Sequence, residues 1–554
     1  MKVVKSSSLI LSVLTMTALL AGCGNSTGSS NNTTTGTNTA TTTSTGMGKP
    51  LVGGAPNGNW QENFNPFSTA ALYGTNGLIY QPLFMFSTVS HDIYPALGTK
   101  YQWINNNKTL EVTLRQGVKW SDGQPFTAND VLFTFNELKK YPDADTSGIM
   151  KVVTSVVKKS NYVVDFNFAA PNIPFQEYVL QASIVPQHIW QNLGDPTKVN
   201  VTNPIGTGPY TLESFTPQVF KLKLNPNFYD VKSYHVPEID FNAYNSNQSA
   251  QLALVSGQLD WAGMFIPNVQ QVYASKNPNF HYWFPAGSAI MLYPNLKNPI
   301  LADLNVRKAI NLAIDRNQIA TQAEYGYVAP LNPTGVQPRD KNLIAPQYAN
   351  LTYKQNLTQA AQILANAGYK KGSDGILVSP SGKKLSFTIQ VVSGWSDWVQ
   401  TCQLISQDLA KIGIQVQVQQ LQFGAYQSNL QNHNFDLAIG WTNTAATSYK
   451  TFYDMLDTHG AWNPEGWSSP TTDAAFNLYK GTTDLNTQKQ AMATIEGVMI
   501  NQLPVMPLFY GETWYEYSTK DYTGWPDANH PYDSPAIFTW PSAAYVLSQL
   551  KPVN

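Results

Sequence analysis

The chain has 554 residues, a formal net charge of -1 at pH 7 and 12% charged residues. This length exceeds what one hydrophobic core usually holds, so two or three domains are expected. No basic face points to a nucleic-acid partner, and no acidic block points to an interaction tail. Aromatic residues also make up 12%, with 14 Trp and 29 Tyr. Most of these rings must pack in a core, but the composition also suits a protein that binds a polar ligand by stacking.

The N-terminus has the features of a secreted lipoprotein. Two lysines precede an apolar run from Leu9 to Leu20, which is too short to span a bilayer comfortably. The run ends in the string LAGC at Cys23, which is similar to a bacterial lipobox. We therefore expect residues 1–22 to be a signal peptide and Cys23 to be acylated, which anchors the chain to a membrane surface. The alternative is an ordinary signal peptide with an incidental cysteine.

The segment that follows, residues 23–50, predicts a flexible tether. It consists mainly of Gly, Ser, Thr and Asn and has no apolar period, so it cannot bury a core. A coil of this length would reach about 25 to 30 Å root-mean-square. A globular head on such a tether could move over a membrane partner while it stays attached outside the cytoplasm.

Cys402 is the other of the two cysteines. It lies at helical spacing with Val399, Ile405 and Leu409, which predicts a place on the apolar face of a helix. Because a lipidated Cys23 leaves Cys402 without a partner, we expect a buried, inert thiol and no internal disulfide.

The stretch from Leu114 to Phe135 predicts the end of a strand, a turn and the start of a helix. Val112 and Leu114 alternate with polar neighbours, as in a half-buried strand. A glycine and the string SDG then supply turn residues. Thr127 is expected to cap the helix, with Asp130 completing a weaker form of the capping box.

The string Gly206-Thr207-Gly208 superficially suggests a nucleotide-binding loop. It lacks the third glycine of that motif, and Pro209 would interrupt the helix start. We interpret it as a crossover between lobes, where glycines permit an unusual backbone path.

Two distant segments each predict a strand-helix-strand unit. In the first, apolar alternation at 239–243 and at 259–261 flanks a predicted helix over 249–255. Such a unit favours parallel strands joined by a right-handed crossover.

The second unit has alternating strands at 385–391 and 414–418. Between them, Asp397 is a candidate cap for a helix that continues to Ile412. Because the two units lie far apart in the chain, we predict two α/β lobes, each with its own sheet.

Several strings resemble the extracellular solute-binding proteins of family 5, the oligopeptide, dipeptide and nickel binders of ABC importers. They are LRQGVKWSDGQPFTANDVLFTF from Leu114, NPIGTGPY from Asn203, DLNVRKAINLAID from Asp303 and LPVMPLFY from Leu503. The third string also predicts a helix that places Val306, Ile310 and Ala313 on one face. Matching strings run in the family's order from about Trp60 to the end of the chain.

The resemblance implies an α/β fold, the two-lobed type II periplasmic-binding-protein architecture with an additional smaller domain. The implied division is 51–92, 207–300 and 520–554 for lobe I, 93–206 for domain II and 301–519 for lobe III. It further implies a monomer that encloses its ligand between the lobes by hinge motion and then docks on a membrane permease.

Motifs for other chemistry are missing from the sequence. Its seven His are scattered, with no HExxH pair, no Cys/His cluster, no Walker A motif and no GxSxG elbow. Asp454 and Asp457 pair on a predicted helix, but this spacing is common on solvated faces. We therefore expect no cofactor, no metal site and no enzyme activity. A sensor that binds a signalling peptide and a hydrolase on the same surface are the alternatives.

The resemblance leaves the ligand class open between an oligopeptide and a β-linked oligosaccharide. Peptide-binding members place an Asp shortly after a Gly-Trp, where it pairs with the amino terminus of the peptide. In the matching stretch, Gly440 and Trp441 are followed by Asn443 and Thr444, and no acid appears. A buried ammonium without a carboxylate partner is costly, which argues against peptides with a free amine.

Two other strings, GWSDW from Gly394 and GWPDANHPY from Gly524, are similar to segments of members that bind β-linked oligosaccharides. Trp rings offer flat apolar faces to sugars, and Asn or Asp oxygens satisfy hydroxyl groups. The predicted ligand-binding set is Trp60, Trp395, Trp441 and Trp467 for stacking, and Asn63, Asn443 and Asp397 for hydrogen bonds. The alternative is core packing for each Trp and the helix cap for Asp397.

Overall fold

Three β-sheets organise the chain in the computed structural model, which describes residues 46–87, 89–90, 92–443, 447–540 and 542–553. The expected signal peptide, Cys23 and the tether up to residue 45 lie outside these residues. Each of the three sheets packs on an apolar core of its own. Within the described ranges, no helix combines the length and apolar character needed to cross a membrane.

Lobe I contains a seven-stranded sheet. In spatial order its strands are Phe280–Tyr282, Glu516–Ser518, Trp261–Ala262, Leu51–Ala55, Glu238–Ala243, Val219–Leu224 and Tyr210–Phe215. Leu51–Ala55 pairs in parallel with both Glu238–Ala243 and Trp261–Ala262. The helix Asn247–Val255, which Ser246 caps, joins those two outer strands. The first strand-helix-strand prediction is therefore confirmed, with one strand inserted between its parallel members.

Lobe III contains a five-stranded sheet in the spatial order Gln415–Leu421, Ser386–Val392, Leu437–Trp441, Ala286–Pro294 and Met506–Glu512. Ser386–Val392 pairs in parallel with Gln415–Leu421, and the helix Ser396–Ala410 joins them, which confirms the second unit. The predicted cap is wrong. Trp395 occupies the capping position with non-helical backbone, and Asp397 lies inside the first turn, where its own backbone is already helical.

The helices of lobe III cover both faces of its sheet. They are Leu304–Ala313, Arg316–Gln318, Leu357–Asn366, Ser396–Ala410, Phe423–Gln431, Ser448–Leu456, Pro470–Lys480 and Leu485–Gln502. The predicted helix after Asp303 is confirmed, since Asp303 caps it and Val306, Ile310 and Ala313 are buried. Cys402 is a free, buried thiol as expected, and burial raises the pKa of its thiol group.

Domain II contains a four-stranded antiparallel sheet in the order Gly98–Ile104, Thr109–Leu114, Val163–Phe168 and Val153–Ser160. Its helices are Ala128–Lys140, Ile149–Val152, Gln176–Gln181 and Gln187–Trp190. The predicted capping box is confirmed at the first of these helices. The Thr127 side chain accepts a backbone N–H, and the backbone N–H of Thr127 donates to Asp130 Oδ2 at 2.9 Å.

Gly206 and Gly208 allow their backbone to lie close to the backbone of Leu78 and Ile79. A Cβ atom on Gly206 would lie 1.9 Å from the carbonyl oxygen of Ile79, and one on Gly208 would lie 2.1 Å from that of Leu78. Neither glycine has a positive φ angle. The sequence interpretation was therefore wrong about the cause, since the absence of a side chain matters here rather than an unusual backbone path.

Two short connections, residues 283–285 and 513–515, link the sheet of lobe I to that of lobe III. They run antiparallel and hydrogen-bond to each other, with Trp283 N donating to Tyr515 O at 3.0 Å and Thr513 N donating to Pro285 O at 2.8 Å. The implied division placed 207–300 in lobe I, but Ala286–Pro294 belongs to the sheet of lobe III, and the chain rejoins lobe I at Glu516–Ser518, before residue 520.

The remaining elements are short or lie at the edges. Lobe I adds the helices Val269–Val272 and Ser542–Gln549. Two-stranded pairs join Phe84–Phe86 to Ile93–Pro95, Lys370–Lys371 to Leu377–Val378, and Tyr522–Thr523 to Lys551–Pro552.

Candidate ligand-binding cleft

A cavity of about 340 Å³ lies between the sheets of lobe I and lobe III. Its lining follows the carboxyl ends of parallel strands in both lobes. Pro56 comes directly after Leu51–Ala55, and Gly263 directly after Trp261–Ala262, while Trp395 and Phe423 follow the two parallel strands of lobe III. Parallel strands leave a crevice at this end, where loops diverge and ligands commonly bind.

Aromatic rings form most of the walls of this cavity. On the side of lobe III, the ring centroid of Trp441 lies 5.9 Å from that of Trp395, 5.6 Å from that of Trp398 and 6.4 Å from that of Phe423. The rings of Phe423 and Trp441 are nearly parallel, with an angle of 9° between their planes. Both rings line the cavity, so they offer apolar surface to a ligand there.

The opposite wall carries a second aromatic group. Phe265 and Trp514 meet edge to face at 5.4 Å, and Tyr73 lies 6.4 Å from Phe538. The side chain of Phe538 is 40% exposed although it is apolar. A ligand in the cavity would therefore lie between two aromatic surfaces and would cover part of Phe538.

Carboxyl groups supply the charge of the cleft. Asp397 and Glu512 line the cavity, and Glu324 lies behind it, where its Oε1 accepts a hydrogen bond from Thr401 Oγ1 at 3.2 Å. Burial raises the pKa of Asp397 to about 7 and that of Glu512 to about 8. Burial, and then the charge of Asp397, raises the pKa of Glu324 well above its ordinary value.

Direct hydrogen bonds connect the two lobes beside the cleft. Asn247 of lobe I donates from its backbone to Gly394 O at 3.4 Å and from its side chain to Ser396 Oγ at 3.3 Å. Farther out, Gln431 Nε2 donates to Thr69 Oγ1 at 3.2 Å. The cavity is therefore bounded by both lobes at once.

The cavity is lined by Trp395, Asp397 and Trp441 from the predicted ligand-binding set. Trp60 lies elsewhere, in the core of lobe I, where its Nε1 donates to Phe241 O at 2.9 Å. Its ring packs 5.2 Å from the ring of Tyr73, so Trp60 supports a residue of the cavity wall from behind.

The other predicted residues make structural hydrogen bonds outside the cavity lining. Asn63 Nδ2 donates to Ser68 Oγ at 3.0 Å, within a turn. Asn443 Nδ2 donates to Asp454 Oδ2 at 2.9 Å. Trp467 is buried in the core beneath the sheet of lobe III, and its Nε1 donates to Thr472 Oγ1 at 3.2 Å.

Sequence reasoning missed several lining residues, namely Tyr73, Phe265, Trp398, Phe423, Glu512, Trp514 and Phe538. One of them carried a usable signal. Glu512 ends the otherwise apolar strand Met506–Glu512, and burial of an acid in such a strand raises its pKa, as is frequent for groups at functional sites. Among the described residues, no group of three His, Cys, Asp or Glu side chains could hold a metal ion.

Comparison with known proteins identifies the family of the chain. The model of the bacterial extracellular solute-binding proteins, family 5 (middle region), matches residues 92–464. The chain belongs to this family. The oligopeptide-binding protein AppA of Bacillus subtilis (strain 168) is 27% identical over 482 residues, which cover 82% of this chain and 83% of AppA.

Solved structures of family 5 proteins share the fold. The periplasmic oligopeptide-binding protein of Thermotoga maritima, solved with bound mannohexaose, has a TM-score of 0.85 and 27% identity, over 91% of this chain and 98% of that one. Bacillus subtilis AppA in complex with a nonapeptide has a TM-score of 0.78 and 20% identity, over 92% and 100% of the two chains. The two-lobed fold with an extra domain is therefore that of family 5.

Proposed function

We propose that this family 5 protein is the receptor of an ABC importer that captures an oligosaccharide between its lobes and delivers it to a membrane permease. The acylated Cys23 would hold it outside the cytoplasmic membrane, on the outer face or in the periplasm. The observation that carries the proposal is the pair of facing aromatic walls, with Trp395 and Trp441 on one side and Trp514 on the other. Such walls suit the C–H faces of sugar rings.

The polar groups of the cavity support the same ligand class. Asp397, Glu512 and Asn57 offer carboxyl and amide groups between the rings, which is the pattern that satisfies sugar hydroxyls without losing apolar contact. The Thermotoga maritima neighbour has mannohexaose bound in its structure. That relative supports an oligosaccharide as the first class of ligand to test.

An oligopeptide is the second candidate ligand, and one observation favours it. The stretch after Trp441 lacks the acid that pairs with a peptide's amino terminus, but Asp397 follows Trp395 by two residues and lines the cavity. A carboxylate at this place could bind an amino terminus from a different element of lobe III. The curated relative AppA is named an oligopeptide-binding protein.

A thermal-shift screen of the chain from Gly24 onward tests the ligand class. This chain includes every core described above, because the compact folded unit begins at Gly46. A ligand at 100 times its dissociation constant adds about 2.7 kcal/mol to the free energy of unfolding, which gives a clear rise in melting temperature. We expect a shift with β-linked oligosaccharides. A shift with peptides alone would favour the second candidate.

The anchor has its own test. The Cys23→Ser chain should appear in the culture medium or the soluble periplasmic fraction, whereas the natural chain should stay with membranes and incorporate labelled fatty acid. Incorporation of labelled fatty acid into the Cys23→Ser chain would contradict the role of Cys23.

A further inference from the structure

The cleft holds more buried carboxyl groups than its own contacts satisfy. The Asp397 side chain is only 4% exposed, yet its Oδ1 has no hydrogen-bond partner among the described residues. The same is true of Oε2 in Glu512, Oε2 in Glu324 and Oε1 in Glu516. Asp397 and Glu512 line the cavity directly, and Oε2 of Glu516 accepts from the backbone of Met264, which also lines it, at 3.3 Å.

Glu324 lies close enough to Asp397 and to Glu512 to be affected by the charge of each. The charges of Asp397 and Glu512 both raise the pKa of Glu324, so the three carboxyl groups share one region of lobe III. Glu324 comes from the segment before Tyr325, Asp397 from the first turn of Ser396–Ala410 and Glu512 from the end of a strand. Three separate elements of lobe III therefore supply these acids.

The protein supplies no positive charge to this region. Among the described residues, no Lys, Arg or His lines the cavity. The ion pairs formed by the described residues do not involve Asp397, Glu324 or Glu512. Burying a carboxylate that lacks a cation or a full set of hydrogen-bond donors costs roughly several kcal/mol. The cost is avoided when the carboxyl group is protonated or when a ligand supplies the missing partner.

We infer that the ligand of this cleft brings a protonated amine, which binds between Asp397 and Glu512. The inference rests on the proposed function, because it assumes that the solute occupies this cavity, and it narrows the class of solute. The shared chemistry has two sources: an amino sugar within a β-linked oligosaccharide, or the amino terminus of a peptide. Both place an ammonium group next to flat or extended apolar surface, as the aromatic walls require.

The tryptophans beside the acids add to this selectivity. Trp395 and Trp441 stand next to Asp397 on the same wall of the cavity. An ammonium group near an indole face gains a cation–π contribution that a hydroxyl group does not. The wall that would stack a sugar ring therefore also favours a cationic ring over a neutral ring of the same shape.

Isothermal titration with matched probe pairs tests the inference at about pH 7 on the chain from Gly24 onward. One pair is the β-1,4-linked glucosamine tetramer against cellotetraose, and the other is tetra-alanine against its N-acetylated form. We expect the amine of at least one pair to bind about tenfold tighter or more than its neutral match. The pair that shows the difference identifies the source of the amine.

Substitutions assign the effect to the two acids. Asp397→Asn and Glu512→Gln keep the shape of each side chain, and each should lower the affinity for the amine by more than the affinity for its neutral match, because only the amine gains from the charge of the carboxylate. Trp467→Phe, in the core and away from the cavity, is the matched control and should leave the preference unchanged. Two variants keep the test decisive if one of them fails to fold, which thermal unfolding reports.

The outcomes separate this inference from the proposed function. If cellotetraose binds but neither amine binds more tightly than its neutral match, the amine inference is overturned while the oligosaccharide receptor stands. A preference that survives in both Asp397→Asn and Glu512→Gln would overturn the assignment to these residues. Failure of all four probes would contradict the proposed function and the inference together.

Discussion

The hydroxyl of Tyr178 in domain II donates a hydrogen bond to Oδ1 of Asp454 in lobe III. Asp454 is only 1% exposed, and its Oδ2 also accepts from Asn443 Nδ2 at 2.9 Å and from Lys450 Nζ at 3.0 Å. The ammonium group of Lys450 lies 4.1 Å from the centre of the Tyr178 ring. The expectation that Asp454 lies on a solvated face is wrong, since this carboxylate joins two domains.

Tyr178→Phe should lower the free energy of unfolding by about 1 to 3 kcal/mol, because it leaves one oxygen of a buried carboxylate without its donor. Denaturation in urea would measure the change. Tyr101→Phe is the matched control, since the described chain offers the Tyr101 hydroxyl no hydrogen-bond partner, and it should change stability by much less. Equal effects of the two substitutions would show that the Tyr178 hydroxyl contributes nothing specific.

Trp441→Ala should weaken ligand binding by roughly tenfold to a hundredfold, because it removes a ring that faces the cavity. Trp60→Phe should leave affinity nearly unchanged and lower the melting temperature instead, since the Trp60 Nε1–H bonds to the backbone inside the core of lobe I. Titration and thermal unfolding of both variants give the comparison. Unchanged affinity in Trp441→Ala would make Trp441 a bystander in ligand binding.

Gly206→Ala should destabilise the protein by about 3 kcal/mol or more, because the new Cβ atom would lie 1.9 Å from the carbonyl oxygen of Ile79 and only backbone movement relieves the overlap. Gly424→Ala is the contrasting change. A Cβ atom there meets nothing within 4 Å, and the residue lies in the helix Phe423–Gln431. It should raise stability by about 0.5 to 1 kcal/mol. Chemical denaturation of the two variants shows whether the free energy of unfolding falls in Gly206→Ala and rises in Gly424→Ala.

The stability of the ligand-free protein should fall as pH rises from about 4 to about 8. The pKa of Asp397 is raised to about 7 and that of Glu512 to about 8, whereas unfolded Asp and Glu titrate near about 4. In this window the native state binds more protons than the unfolded state, so each rise in pH favours unfolding. Urea midpoints at about pH 5 and about pH 8 measure the slope. The Asp397→Asn/Glu512→Gln double variant should reduce the slope, while Glu496 and Asp533, whose pKa values burial raises to about 7 and about 6, retain part of it.

Ligand affinity should have the opposite pH dependence if the solute carries an amine. Binding an ammonium favours the ionised carboxyls, so protons leave Asp397 and Glu512 on binding and affinity rises with pH towards about 8, as long as the amine stays protonated. Glu324 is the third acid that faces this region and would add to the release. Titrations in buffers of different ionisation enthalpy count the protons; net proton uptake would contradict this expectation.

Local signals predicted the architecture well, because they act within a few residues. The capping box at Thr127 and the apolar face of Leu304–Ala313 depend only on neighbours along one helix. The alternation in Glu238–Ala243 and Ser386–Val392 likewise depends on one strand. Each of these predictions is confirmed.

The cleft was harder to predict, since it depends on contacts between distant segments. Composition does not distinguish a tryptophan that faces a cavity from one that faces a core. Trp60 and Trp441 look alike in sequence, yet the indole of Trp60 bonds to Phe241, 181 residues away. Glu512 and Trp514 belong to the wall only because the chain returns to lobe I there, which no local period reveals.

The paired connections at 283–285 and 513–515 have a kinetic consequence. Because the two connections are short and hydrogen-bonded to each other, the lobes move relative to each other most easily by rotation about the line of these connections. Glu512 and Trp514, at this line, also form part of the cavity wall. A bound solute therefore contacts the pivot between the lobes. We expect it to leave only when the lobes separate, so its dissociation rate should equal the rate at which the lobes open.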